Sequence, residues 1–283
     1  MVNLDEIYNE CLEIIENSND SNIKKKKNKL VASYKLMIDS DDNDNQDFRS
    51  VVYEIRLYNY MKNLGLNIQA QNDDKGGPDF LVPEKCYIEC IISTTGKEEI
   101  ISIPQNKGIG STTTNDHRLG ISRLSNSFIT KSEKYKCYLK KDKIQSKLPL
   151  VIAIDSSILC YRTFSKIVFE NMKKVLYGIG DYQYYINSNG IPVLSECRAY
   201  TSTIFKKGKE INISYFMNED YSHISAVIFN CHHIKDPFCK DNIMLFLNPY
   251  ANYPLDINFF KDLKKFGLIE SDYATNKVTF GEL

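Results

Sequence analysis

Apolar residues recur along the chain at two different spacings, which predict helices and strands in alternation. Helical spacing predicts helices over residues 4–16, 30–38, 47–64, 119–141 and 256–266. Short β-rich runs bounded by turn residues predict strands over residues 66–71, 78–82, 86–93, 148–154, 191–199, 210–216, 224–230 and 242–247. This order of elements predicts a mixed fold of the α/β or α+β class.

Turn and loop signals refine this outline. Asp47 is the predicted N-cap of the third helix, and Gly65 is placed to end that helix. Asn189-Gly190 is a hairpin signal in the C-terminal half. Residues 94–118 are polar and without periodicity, which is typical of a functional or irregular loop.

The pattern divides the chain into three regions. Residues 1–45 are predicted to form a helical N-terminal appendage, in which the lysine run 24–29 is interpreted as a solvated face. Residues 46–160 carry the helix, strands, helix and buried strand of a core. Residues 161–283 are predicted to be a β-rich C-terminal extension of the same domain.

Composition limits the classes of function. The chain has 36 basic and 36 acidic residues, so any phosphate-binding surface must be local rather than spread over the whole protein. No apolar run approaches the length needed to cross a bilayer, and the first ten residues lack the layout of a signal peptide, so we expect a cytoplasmic protein without a membrane partner. The eight cysteines form no CxxC pair, which favours free thiols.

Three carboxylates lie in apolar surroundings within one short stretch. Glu54 falls at the edge of the apolar stripe of its helix, Asp79 follows Pro78 at the start of a strand, and Glu89 lies inside the next strand. A buried carboxylate is costly unless it is paired or bound to a cation. A short hairpin would bring Asp79 and Glu89 together, and two such carboxylates suit Mg²⁺.

Pro78-Asp79, with Glu89 ten positions later in an apolar strand, resembles the PD-(D/E)xK nucleases, the family with the restriction-endonuclease fold. The resemblance covers about residues 47–155 and implies an αβββαβ core. The family has a lysine two residues after the glutamate, where this chain has Ile91. Lys131, which lies in the apolar stripe of the helix over residues 119–141, is the candidate replacement; a lysine that extends to solvent is the alternative.

The resemblance implies a Mg²⁺- or Mn²⁺-dependent endonuclease that hydrolyses phosphodiester bonds in DNA. Asp79, Glu89 and the backbone carbonyl of Cys90 would hold the metal ion, and Glu54 would support it or a second ion. Lys131 would orient the attacking water or neutralise charge at the phosphate. The residues expected to bind nucleic acid are Lys97, Lys107, His117 and Arg118.

Two other functions remain open at this point. The chain could be a catalytically inactive nuclease-fold module for nucleic-acid binding or assembly, which the missing lysine favours. It could also be an unrelated α+β enzyme in which the three acids are structural. A homodimer is compatible with each of these functions.

Overall fold

The computed structural model describes residues 3–40, 45–71, 76–94, 115–162, 165–206, 209–272 and 277–283. The helices are α1 (Leu4–Asn17), α2 (Ser21–Asp39), α3 (Gln46–Asn63), α4 (Asn115–Lys140), α5 (Ser157–Arg162) and α6 (Ser165–Tyr177). The strands are β1 (Gln69–Ala70), β2 (Phe80–Val82), β3 (Cys86–Ile92), β4 (Leu150–Asp155), β5 (Ile179–Ile186), β6 (Pro192–Tyr200), β7 (Thr203–Lys206), β8 (Lys209–Asn212), β9 (Ala226–Asn230), β10 (Ile243–Leu247), β11 (Lys264–Asp272) and β12 (Lys277–Glu282).

An eight-stranded mixed sheet organises the described residues, in the order β1-β2-β3-β4-β9-β10-β11-β12. Strands β1, β2 and β3 are antiparallel neighbours, whereas β3, β4 and β9 run parallel. The parallel connection from β3 to β4 passes through α4, as parallel strands require a crossover. The predicted mixed class of fold is confirmed.

The hydrophobic core lies on both faces of this sheet. Successive strand residues point to opposite faces, so Ile88 and Cys90 pack with α1, α2 and α3, while Tyr87 points to the face covered by α4 and α6. Strand β4 is buried over its whole length, as its continuous apolar run predicts. Glu89 therefore enters a core on the α4 face.

The N-terminal helices are longer and more integrated than the sequence pattern predicts. Helix α2 begins at Ser21, not near residue 30, because the Asp20 side chain accepts hydrogen bonds from the backbone N–H of Asn22 and Ile23. The lysine run is therefore helical, and it contributes Lys26 to the buried face of α2. The prediction that this run is only a solvated face is wrong at that position.

Two further boundaries differ from the predictions. The N-cap of α3 is Asn45, whose side chain accepts from Phe48 N, so the helix starts one residue before Asp47. Strand β1 has two residues rather than six. Gly65 has φ of 77°, the left-handed conformation that commonly ends a helix, as predicted.

The C-terminal half adds β9 to β12 to the main sheet and two short hairpins outside it. The predicted last helix over residues 256–266 is wrong: turns are followed by β11, which pairs with β10. Phe260 and Leu263 are buried and have helical spacing, but they lie in the turns. The residues that follow them pair with β10 as β11, which satisfies backbone groups that the edge of β10 would otherwise expose. Residues 215 and 216, the end of the strand predicted over residues 210–216, belong to a 3₁₀ turn, and α6 is not anticipated by the pattern.

Two further expectations from the sequence concern membrane-spanning segments and the state of the cysteines. No helix among the described residues is long and apolar enough to cross a membrane. Cysteine side chains in the described part of the chain are free thiols: Cys11, Cys86, Cys90, Cys137, Cys231 and Cys239.

Candidate active site

The short β2–β3 hairpin positions the first two carboxylates. Phe80 pairs with Ile88, which places Asp79 beside the middle of β3. The backbone N–H of Cys90 donates a hydrogen bond of 2.6 Å to Asp79 Oδ2. This bond fixes the half-buried Asp79 next to Glu89, as the spacing of the two acids predicts.

Glu89 is completely buried, and lysines from α4 neutralise it. Lys131 Nζ lies 2.6 Å from Glu89 Oε1, and Lys134 Nζ bonds to the same oxygen. The Tyr138 hydroxyl lies 3.5 Å from Glu89 Oε2 and donates a hydrogen bond of 2.6 Å to the carbonyl of Gly77. Helix α4 thus supplies positive charge to the glutamate and a link to the loop that carries Asp79.

Glu54 receives its cation from the opposite side of the sheet. The buried Lys26 of α2 lies 2.6 Å from Glu54 Oε2, and the Ser50 hydroxyl donates to Glu54 Oε1 over 3.3 Å. Helix α2 is further held by Asn22, whose side chain donates to the carbonyl of Ala70 in β1. The N-terminal helices are therefore part of the candidate site.

The three carboxylates influence one another electrostatically. Burial raises the pKa of Asp79 to about 7, and the negative charges of Glu54 and Glu89 act in the same direction. Lys131 and the hydrogen bond from Cys90 oppose this increase only in part. Burial and the two neighbouring carboxylates thus disfavour the charged form of Asp79, a penalty that a cation bound beside it would relieve.

We tested whether these residues fit a divalent metal ion. Within the described ranges, no group of three or more His, Cys, Asp or Glu side chains has an arrangement that could hold a metal ion. Mg²⁺, however, often takes only one or two carboxylates and completes its shell with carbonyl oxygens, water and substrate phosphate. Asp79 and Glu89 match the one or two carboxylates of this second kind of site, because they directly adjoin the paired residues Phe80 and Ile88.

The structure brings together four of the residues that the sequence singled out: Glu54, Asp79, Glu89 and Lys131. Lys97 and Lys107 lie outside the described residues. His117 and Arg118 belong to α4, but their side chains are outside the described set. The expected contribution of these last four to nucleic-acid binding stays a prediction.

Three residues of the site were missed by reasoning from the sequence. Lys134 follows Lys131 by three positions and so lies on the same face of α4, a spacing that could have suggested it. Lys26 shares its helical face with Ile23 and Leu30, which marks it as inward-facing once α2 is recognised as a helix. Tyr138 has the apolar spacing of a core residue on the same helix, yet its hydroxyl reaches both Gly77 and Glu89.

A second polar region lies under α3, at the carboxyl ends of β4 and β9. There Asp155 and Asn230 line a cavity of about 20 Å³ together with Tyr53. That volume corresponds to about one water molecule. This cavity is too small for a substrate and does not include Asp79 or Glu89.

Comparison of the chain with protein-family models, curated proteins and solved structures finds no match in any of the three.

Proposed function

We propose that this protein is a metal-dependent endonuclease of the restriction-endonuclease type that hydrolyses phosphodiester bonds in DNA. The observation that carries this proposal is the contact between Lys131 and Glu89, directly beside the anchored carboxylate of Asp79. Two neighbouring carboxylates and a lysine are the set of groups that the PD-(D/E)xK signature supplies. Here the lysine comes from α4, because Ile91 occupies its usual position.

The order and pairing of the elements around these residues support the proposal. Helix α3 precedes three antiparallel strands, and α4 then connects β3 to the parallel strand β4. This is the αβββαβ succession expected of the restriction-endonuclease core. The acids occupy α3 and the β2–β3 hairpin, the elements in which that core would carry them, and the lysine comes from α4 instead of β3.

Each residue of the cluster has a role that follows from its contacts. A Mg²⁺ or Mn²⁺ ion held by Asp79, Glu89 and the Cys90 carbonyl would act as a Lewis acid and lower the pKa of a bound water. The bond from Cys90 N keeps the Asp79 carboxylate oriented before any ligand arrives. Lys131, only 13% exposed, keeps a positive charge at the point where a phosphate would become more negative.

Glu54 acts mainly through its charge in this proposal. Lys26 engages one oxygen and Ser50 the other, so the carboxylate is held in one orientation. Its negative charge contributes to the raised pKa of Asp79 and so to the demand for a cation. Whether Glu54 also binds a metal ion directly stays a prediction.

A catalytically inactive nuclease fold that binds nucleic acid is the second candidate function. The observation that favours it is that two lysines, Lys131 and Lys134, already neutralise Glu89. If these ion pairs were permanent, the site would not exchange a lysine for a metal ion. Cleavage and metal-binding measurements separate the two candidates.

The direct test is incubation of supercoiled plasmid and of single-stranded DNA with Mg²⁺ or Mn²⁺. We expect the wild type to cut and Asp79→Ala to lose the activity by about 100-fold or more, with an unchanged circular dichroism spectrum. Lys131→Ala reports whether that residue replaces the missing lysine. A folded wild type that cuts neither substrate with either metal ion contradicts the proposal.

A further inference from the structure

The positive charge of the chain is concentrated in two stretches, the lysine run 24–29 of α2 and residues 134–147 at the end of α4. The protein is neutral overall, yet residues 134–147 contain six lysines and a single acid, Asp142. Five of these lysines form a surface that we term the α4 lysine surface: Lys134, Lys140, Lys141, Lys143 and Lys147. All five are exposed. The sixth, Lys136, pairs with Glu133 and lies over the ring of Tyr221.

This surface begins at the candidate active site. Lys134 bonds to Glu89, and Tyr138, one helical turn later, donates to the carbonyl of Gly77. Lys143 also reaches this loop: a Cβ atom built on Gly76 would lie 2.8 Å from Lys143 Nζ. The lysines therefore extend from the carboxylates, past the loop that carries Asp79, onto the outer surface.

The backbone under the surface is held in place beyond the end of the helix. Lys143 N donates to the carbonyl of Tyr138 over 3.0 Å, and Gln145 N donates to the hydroxyl of Tyr87 over 3.2 Å. Ile144 between them is buried. The backbone that carries these lysines is thus fixed, so only the lysine side chains need to become ordered on binding.

A simpler explanation accounts for only part of this charge. Lysines in the last turn of a helix interact favourably with the helix dipole, which suits Lys140. Lys143 and Lys147 follow the helix, beyond the reach of that effect. Solubility alone does not require lysines to be clustered, because the same number of positive charges could be dispersed over the surface.

We infer that the α4 lysine surface binds the phosphate backbone of duplex DNA and guides it to the Asp79–Glu89 pair. This inference rests on the proposed function, since that function supplies the substrate. The residues of this surface differ from those expected from the sequence to bind nucleic acid, because the expected ones lie at or before the start of α4. Contacts of this kind are independent of base sequence and are weakened by salt.

The test compares two triple variants of matched charge. K140E/K141E/K147E reverses the α4 lysine surface, and K24E/K25E/K29E reverses three exposed lysines of α2, so each removes three positive charges and adds three negative ones. Fluorescence anisotropy with a labelled duplex, in EDTA and at several salt concentrations, measures binding without cleavage. K140Q/K141Q/K147Q tests whether neutralisation alone has an intermediate effect.

We expect the α4 triple to weaken binding by about 30-fold or more and to reduce the salt dependence by about two to three released ions. The α2 triple is expected to change affinity by less than about threefold. An α4 triple that binds like the wild type, or two triples that weaken binding equally, overturns the inference. So does a wild type that binds no duplex, or one whose α4 lysines bind only single-stranded RNA or an acidic protein.

Failure of this inference can be distinguished from failure of the proposed function. If the wild type cuts DNA and the α4 triple binds DNA normally, the role of the α4 lysine surface is refuted and the proposed nuclease function stands. A wild type that loses binding in the α4 triple, but never cuts with Mg²⁺ or Mn²⁺, refutes the nuclease and leaves the surface as that of a DNA-binding module.

Discussion

Glu89 and Asp155 lie on neighbouring parallel strands and are both buried, but different kinds of partner satisfy them. Glu89 is held by Lys131 and Lys134, which are long, charged and partly exposed. Asp155 accepts bonds of 2.7 Å from the Ser157 hydroxyl and 2.6 Å from the Asn230 side chain, both neutral and buried.

This difference separates a carboxylate built for exchange from one built for stability. In the proposed function a metal ion would replace the lysines at Glu89, which are charged and partly exposed. The hydrogen bonds to Asp155 come from short neutral donors, the charge of Arg49 lies nearby, and burial raises the pKa of that carboxyl. Burial of an acid is therefore a weaker sign of function than the identity of its partners.

The largest expected effect is on activity. Glu89→Gln is expected to reduce cleavage by about 1,000-fold, because the amide cannot supply the negative charge that a metal ion requires. Asp155→Asn, the matched change on the next strand, should leave the cleavage rate of folded protein within about threefold. Single-turnover cleavage of a labelled duplex measures both. Equal losses in the two variants would remove the functional distinction between the acids.

The two lysines at Glu89 offer the next comparison. Lys131 is 13% exposed and Lys134 is 43% exposed, so solvent screens the charge of Lys134 more strongly. We expect Lys131→Ala to slow cleavage by about 100-fold and Lys134→Ala by only about threefold. If Lys131→Arg keeps the activity that Lys131→Ala loses, measured at the same pH, the result would support a role for the positive charge of Lys131. The reverse order of effects would assign the missing lysine to Lys134 instead.

Stability should rank the two acids in the opposite order. Asp155→Asn keeps one carbonyl oxygen for Asn230 Nδ2 but replaces the acceptor of the Ser157 hydroxyl by an NH₂ group, which should lower the free energy of unfolding by about 1–2 kcal/mol. Glu89→Gln should lower it less, because it also relieves repulsion between Glu89 and Asp79. Urea denaturation at pH 7 without metal ions measures both. A larger loss for Glu89→Gln would make that residue the structural one.

The smallest expected effect depends on pH. A carboxyl whose folded pKa is about 7 destabilises the fold progressively as the pH rises from about 4 to about 7, since the unfolded state loses its proton first. Asp79→Asn keeps an acceptor for Cys90 N and removes this penalty. We expect the stability of the variant relative to the wild type to increase between pH 4 and pH 8. If the stability difference between the variant and the wild type is the same at both pH values, the pKa of Asp79 is not raised.

The sequence was informative where chemistry and local spacing coincide. Asp79 and Glu89 are ten positions apart across a short hairpin, so their proximity follows from strand geometry alone. Lys131 was identifiable because it interrupts an apolar helical stripe. The same reasoning also predicts that β4 is buried on both faces.

Features that depend on packing between distant segments were not predictable in this way. The contact between Lys26 and Glu54 joins residues 28 positions apart and requires that α2 pack on α3. The predicted last helix contains the buried residues Phe260 and Leu263 at helical spacing, but the edge of β10 directs the chain that follows into strand β11. In both cases a tertiary partner, invisible in the local pattern, decides the outcome.

The most direct test of the account is binding of Mn²⁺, measured by calorimetry on the metal-free protein. The wild type should bind one or two ions, and Asp79→Asn should weaken that binding by about tenfold or more, whereas Asp155→Asn should bind as the wild type does. That result would establish the Asp79–Glu89 pair as the metal site. A folded wild type that binds no Mn²⁺, or an Asp79→Asn variant that binds it equally well, would contradict the central claim.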